Sequence, residues 1–154
     1  MNASTDTPTI HRSIALLQRL TELFEQRRQQ LAARVGLTEQ QWRVLEEIST
    51  EHFIPSLFAK SQESSAAAVS KVLRQLLDKQ LVRVSVSERD GRQRQYELSP
   101  RGQRVMERLR RYRQRAIEVI WAGLATDRLR AFSELSAELI GRIERYAAQE
   151  VQKE

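Results

Sequence analysis

The sequence predicts a mainly α-helical fold that carries one small β-hairpin. Three observations predict it. Apolar residues recur at helical spacing through both ends of the chain, the period shortens to two only between Val82 and Leu98, and capping residues separate one helical segment from the next. The 154 residues suit one domain, or one compact unit with dimerisation arms.

Ile10, Ile14, Leu17, Phe24, Leu31 and Val35 form one long amphipathic stripe, and Gly36 stands where a C-terminal cap is expected. Thr38-Glu39-Gln40-Gln41 reads as a capping box, with Thr38 as N-cap and Gln41 three residues on. The helix it opens turns Trp42, Leu45 and Ile48 inward. His52 to Pro55 is a break, and Pro55 starts a short helix through Leu57, Phe58 and Ala59. Ser64 or Ser65 caps the next helix, which buries Val69, Val72, Leu73 and Leu76. Val82, Val84 and Val86 then alternate with Arg83, Ser85 and Ser87. Asp90-Gly91 marks a turn, and Tyr96 and Leu98 alternate again on the returning strand. Ser99-Pro100 opens a long helix with Val105, Leu109, Tyr112, Ala116 and Val119 as its stripe. Gly123 interrupts it. Thr126-Asp127 caps a last helix that carries Leu129, Phe132, Leu139, Ile143 and Tyr146 on one side.

Composition narrows the function. Cysteine is absent, which excludes disulfides, thiolate metal sites, a cysteine nucleophile and cysteine-based redox sensing. No apolar run approaches the roughly 18 residues of a membrane span. The polar Met1–Thr9 stretch lacks the pattern of a secretory signal, so a cytoplasmic protein is expected. The net charge is +6, and its placement matters more than its size. Lys60 to Arg115 hold 15 Lys and Arg against 6 Asp and Glu, while the remainder holds 11 against 14. A basic middle between neutral-to-acidic ends points to one surface facing a polyanion. A solvated basic face would give the same count.

Helix, short turn, helix and a two-stranded hairpin with a basic tip make a winged helix-turn-helix. At about 100° per residue, the face opposite Val69, Val72, Leu73 and Leu76 holds Ala67, Lys71, Arg74 and Asp78, with Ser70 on the flank. The helix start, Ser65-Ala66-Ala67-Ala68, is small enough to approach DNA closely, and its free N–H groups favour a phosphate. Base reading then falls to Ser65, Ser70, Lys71 and Arg74. An ordinary surface helix would carry the same alanines for propensity alone. Arg89, Arg92 and Arg94 surround the Asp90-Gly91 turn and suit a narrow, negative minor groove, with Asp90 holding Arg92 extended.

These residues resemble the MarR (multiple antibiotic resistance regulator) family of transcriptional regulators. The resemblance is carried by Leu37–Leu45, by Ala68-Val69-Ser70-Lys71-Val72-Leu73, by Leu81-Val82, by Asp90-Gly91-Arg92 as the family's wing Asp-x-Arg, and by Leu98-Ser99-Pro100-Arg101-Gly102. It spans roughly residues 10 to 150. It implies a homodimer built on the first and last two helices, a pseudo-palindromic operator, and repression relieved by a small aromatic or phenolic acid. It also implies that Ser65, Ala67, Ser70, Lys71 and Arg74 meet the major groove and that Arg92, positioned by Asp90, enters the minor groove. Many relatives carry larger or polar residues where this chain has Ala66-Ala67-Ala68. The missing cysteine argues against the peroxide-sensing branch.

The expected organisation is a single unit over 1–154, with dimerisation helices at 10–36 and 100–152 and a DNA-binding lobe at 37–99. The apolar stripes of the outer helices exceed what one lobe can cover. Burying each apolar side chain contributes roughly 1.5–3 kcal/mol, so a partner copy is favoured over a monomeric bundle. An effector pocket is expected where the arms meet the lobe, with His11, Trp42 and His52 as candidate contacts. The bland alternatives are a core tryptophan and surface histidines. Ligand would act by population shift, favouring a dimer whose recognition helices no longer match the groove spacing. The expected partners are double-stranded DNA, a second copy and a small aromatic acid, with no membrane, cofactor or metal. An enzyme fits poorly, because the two histidines are separated and no Gly-rich phosphate loop exists. A sequence-nonspecific architectural DNA binder and a protein-interaction adaptor remain as rival classes.

Overall fold

The computed structural model describes residues 6–50, 53–86 and 94–151. Its elements are α1 (Thr7–Ala33), α2 (Glu39–Ile48), α3 (Pro55–Ser61), α4 (Ala66–Asp78), β1 (Val82–Val86), β2 (Arg94–Leu98), α5 (Pro100–Ile120) and α6 (Thr126–Val151). This is the mainly helical architecture with one hairpin that the sequence predicts. The chain divides into two compact units, 1–113 and 114–154.

The first unit is closed by chemistry legible in the residues. Asp6 caps α1 by accepting from the Thr9 N–H. At the far end Gly36, at φ +74°, closes a Schellman turn: Leu37 N–H donates to Ala32 O, and Gly36 N–H to Ala33 O, both at 3.0 Å. The capping box of α2 is complete. Thr38 Oγ1 accepts from Gln41 N–H, and Gln41 Oε1 accepts from Thr38 N–H. Pro55 begins α3, where its missing N–H costs nothing.

The core lies among α2, α3, α4, the end of α1, the start of β1 and the first half of α5. Val44, Leu45, Leu76 and Leu109 are its most enclosed large side chains. Phe53 packs on Phe58 and Tyr96, with ring centroids 5.8 and 6.0 Å away, and so ties the segment before α3 to the hairpin. β1 and β2 pair antiparallel, Val82 opposite Leu98 through Val86 opposite Arg94. Only Val82 of the three alternating valines is buried; Val84 and Val86 are 45% and 61% exposed, because the core ends at the root of the hairpin.

The stripe of α5 starts deeper than periodicity indicates. Gly102 and Met106 join Leu109 in the core, while Val105 and Tyr112 are half-buried. Ser99 caps this helix as expected: its Oγ accepts from Gly102 N–H at 3.0 Å and donates to Gln80 O at 2.6 Å. In the second unit Gly123 takes φ +88°, and α6 begins at Thr126 itself rather than after it. Along α6, Phe132, Leu139, Ile143 and Tyr146 are all exposed in this single chain. So are Ile10, Ile14, Leu17 and Phe24 of α1. Among the described residues, no helix is long and apolar enough to cross a membrane.

Candidate nucleic-acid interface

α3 and α4 are joined by a turn that fixes the start of α4. Ser64 N–H donates to Ala59 O at 2.9 Å, and Glu63 N–H donates to Lys60 O at 3.2 Å. This is again Schellman geometry, with Glu63 in the left-handed region at φ 49°. Of the two candidate caps it is Ser65 that serves, accepting from Ala68 N–H at 3.1 Å. One Oγ lone pair is thus engaged by its own helix, and its hydroxyl proton remains available as a donor.

Val69, Val72, Leu73 and Leu76 bury one face of α4. Ser65, Ala67, Ser70, Lys71 and Arg74 are all exposed on the remaining surface. Among the described residues neither Lys71 nor Arg74 has an ion-pair partner, so both cations are available to an anion. Arg94 is exposed on β2. Arg89, Asp90 and Arg92 lie outside the described residues, as does His52.

The remaining sequence candidates take different positions. His11 is exposed on α1. Trp42 is only 3% exposed, with the Arg28 guanidinium 4.4 Å from its ring centroid, and its Nε1 finds no hydrogen-bond partner among the described residues. Arg28 in turn meets Glu39 at 3.3 Å and Glu46 at 3.1 Å, and Glu46 also holds Arg113 at 3.1 Å. This network joins α1, α2 and α5. Arg28 was invisible to periodicity, because a charged residue inside an apolar stripe reads as an interruption. Nearby, Arg34 stands 5.6 Å from the Tyr112 ring. The hydrogen bond and charge of Arg108 hold the Tyr112 phenol below the usual tyrosine range.

A cleft of about 950 Å³ opens beside α4. Phe58, Ala68 and Val72 give it an apolar floor, and Glu39, Arg43 and Lys71 give it charged walls. Neither His11 nor Trp42 lines it.

Residues 35–93, from just after α1 to just before β2, match the family model described as the MarR family. This segment of the chain is similar to the MarR family. No curated protein sequence matches it. Solved structures resemble it in fold at low identity. A MarR family transcription regulator superposes with a TM-score of 0.83 at 17% identity, covering 92% of this chain and 95% of that one. A structure of Staphylococcus aureus MarR in complex with salicylate and kanamycin gives 0.75 at 14%, covering 94% and 99%. A Staphylococcus aureus MepR–DNA complex gives 0.67 at 16%, covering 83% and 94%. The helical frame and hairpin described above are therefore the MarR winged-helix frame.

Proposed function

We propose that this chain is a DNA-binding transcriptional repressor of the MarR family. It works as a homodimer on a pseudo-palindromic operator and is released by a small aromatic or phenolic acid. One observation carries the reading. The face of α4 turned away from the core presents Ser65, Ser70, Lys71 and Arg74 together, with both cations free of ion pairs among the described residues. That face stands in a helix-turn-helix whose resemblance extends to a protein solved on DNA. Helices 10–36 and 100–152 serve as dimerisation arms in this reading and 37–99 as the DNA-binding lobe, with Arg89, Asp90, Arg92 and Arg94 of the hairpin reaching the minor groove.

Selection from a random duplex pool, followed by footprinting, tests the proposal. An inverted repeat with half-sites about one helical turn apart is expected. Affinity should fall steeply with salt as phosphate contacts release counterions. Uniform protection without an enriched sequence would establish an architectural binder instead, a reading the bare Ala66-Ala67-Ala68 start favours. Failure to bind any duplex at low salt would leave an adaptor.

The effector is placed at the arm–lobe junction, with Trp42, His11 and His52 as its candidate contacts. Arg28 already covers the Trp42 ring, so an acid reaching it must displace or recruit that guanidinium. A thermal-shift screen of aromatic acids followed by DNA-release assays on the hits checks this. No hit that also releases DNA would remove the effector from the proposal.

A further inference from the structure

The apolar contacts of α4 decide which face it turns to the core, but they set its roll about its own axis only coarsely. Hydrophobic burial is non-directional. Two directional bonds supply what it lacks. Gln41 is 4% exposed, one of two buried polar side chains among the described residues. Its Oε1 is occupied by the α2 capping box. Capping requires nothing of Nε2, which in an exposed capping box would bond to water. Here Gln41 itself is buried, so the amide must find a protein partner. It donates to Gln75 Oε1 on α4 at 2.9 Å. At the C-cap of α4, Lys79 Nζ donates to Gly36 O at 2.5 Å, on the carbonyl of the turn that closes α1. Both bonds run from α4 to the α1–α2 corner, and Gln75 follows directly on Arg74.

We infer that Gln75 is a positioning residue for sequence recognition: its bond to Gln41, backed by Lys79 on Gly36, sets the roll of α4 and so the aim of Ser70, Lys71 and Arg74. This rests on the DNA-recognition reading above. A recognition side chain tolerates a misalignment of only about 10–20° before its hydrogen bonds to a base edge fail. Contacts to phosphates are more forgiving, because they depend on charge rather than on a donor–acceptor pattern. Loss of the bond should therefore erode discrimination between sequences before it erodes binding to DNA in general. The arrangement also gives the corner where α1 ends a direct mechanical link to the reading helix.

The test compares Gln75→Met, which keeps the side chain's length but removes the acceptor, with Gln75→Glu, which retains an acceptor oxygen. Gln41 is left intact because it also caps α2. Affinity is measured for the selected operator and for a scrambled duplex, alongside thermal unfolding. Gln75→Met should lose about tenfold in operator affinity, comparable with one mismatched base pair, while its affinity for scrambled DNA and its salt slope stay as in the parent chain. Gln75→Glu should weaken both duplexes alike, through its charge, and keep their ratio. An unchanged ratio in Gln75→Met overturns the inference, and so does parallel loss on both duplexes. A parent chain with no sequence preference removes the recognition reading itself, which is a separate and visible outcome.

Discussion

Gly102 lets α5 lie against the backbone where the hairpin begins. A Cβ at this position would stand 2.1 Å from Leu81 O. Two effects of Gly102→Ala then oppose each other. Helix propensity favours alanine by about 1 kcal/mol. Overlap with a backbone carbonyl cannot be relieved by rotating a side chain, and it costs roughly 1–3 kcal/mol. The same carbonyl accepts from Ser99 N–H at 3.0 Å, so it is held in place. Overlap should win, and urea unfolding should show Gly102→Ala less stable than the parent; a gain in stability would refute the close approach. The sequence displays Ser99-Pro100 as a helix start, because capping is local chemistry. It does not display why Gly102 must be glycine, because the constraint comes from Leu81, brought there by the fold. For the wing, Arg92→Ala should weaken operator binding with little change in melting temperature. Unchanged affinity would take the wing tip out of the interface.

Among the described residues three helix ends close by Schellman turns, and only one is legible in the sequence. Gly36 announces itself, and with Thr38 and Gln41 it makes the α1–α2 corner legible from the residues alone. The turns after α3 and α4 place Glu63 at φ 49° and Gln80 at φ 57°, where no glycine signals the conformation. At Gln80, Leu81 N–H donates to Leu76 O and Gln80 N–H to Leu77 O, the same pattern as at Gly36. A left-handed residue with a side chain carries roughly 1–2 kcal/mol of strain. Glycine relieves it but gives back about 0.5–1 kcal/mol in unfolded-state entropy. Glu63→Gly should therefore stabilise the helix-turn-helix by a few tenths of a kcal/mol up to about 1 kcal/mol. Chemical denaturation is the measurement, and a destabilised variant would show that the Glu63 side chain contributes more than its strain costs. Thr38→Ala runs the other way. It removes the acceptor for Gln41 N–H and should cost about 1 kcal/mol.

At the scale of the molecule the unresolved demand is apolar surface. The stripe on α1 is wider than the one the sequence reading traced. Leu16, Leu20 and Leu23 are exposed beside Ile10, Ile14, Leu17 and Phe24. Counted at about 100° per residue, these positions cover half the helix circumference, more than a single contacting helix needs. Periodicity picked out one side of this band and passed over the other, since a stripe search rewards narrow alignment. α6 adds Phe132, Leu135, Leu139, Ile140 and Ile143, again all exposed. Surface of this extent on a charged, basic chain calls for a partner, and in the reading proposed above that partner is a second copy, which would also set two α4 helices side by side on DNA. Leu17→Glu combined with Phe24→Glu places two charges in the α1 stripe, far from the lobe core. Sedimentation should find the parent dimeric and the variant monomeric, with the lobe still folded by circular dichroism. Operator affinity should fall severely, since each half-site would then be held alone and the avidity of a linked pair is lost. A parent chain that sediments as a monomer, or a variant that keeps both dimer and operator, would mean that these stripes are covered by something other than a second copy.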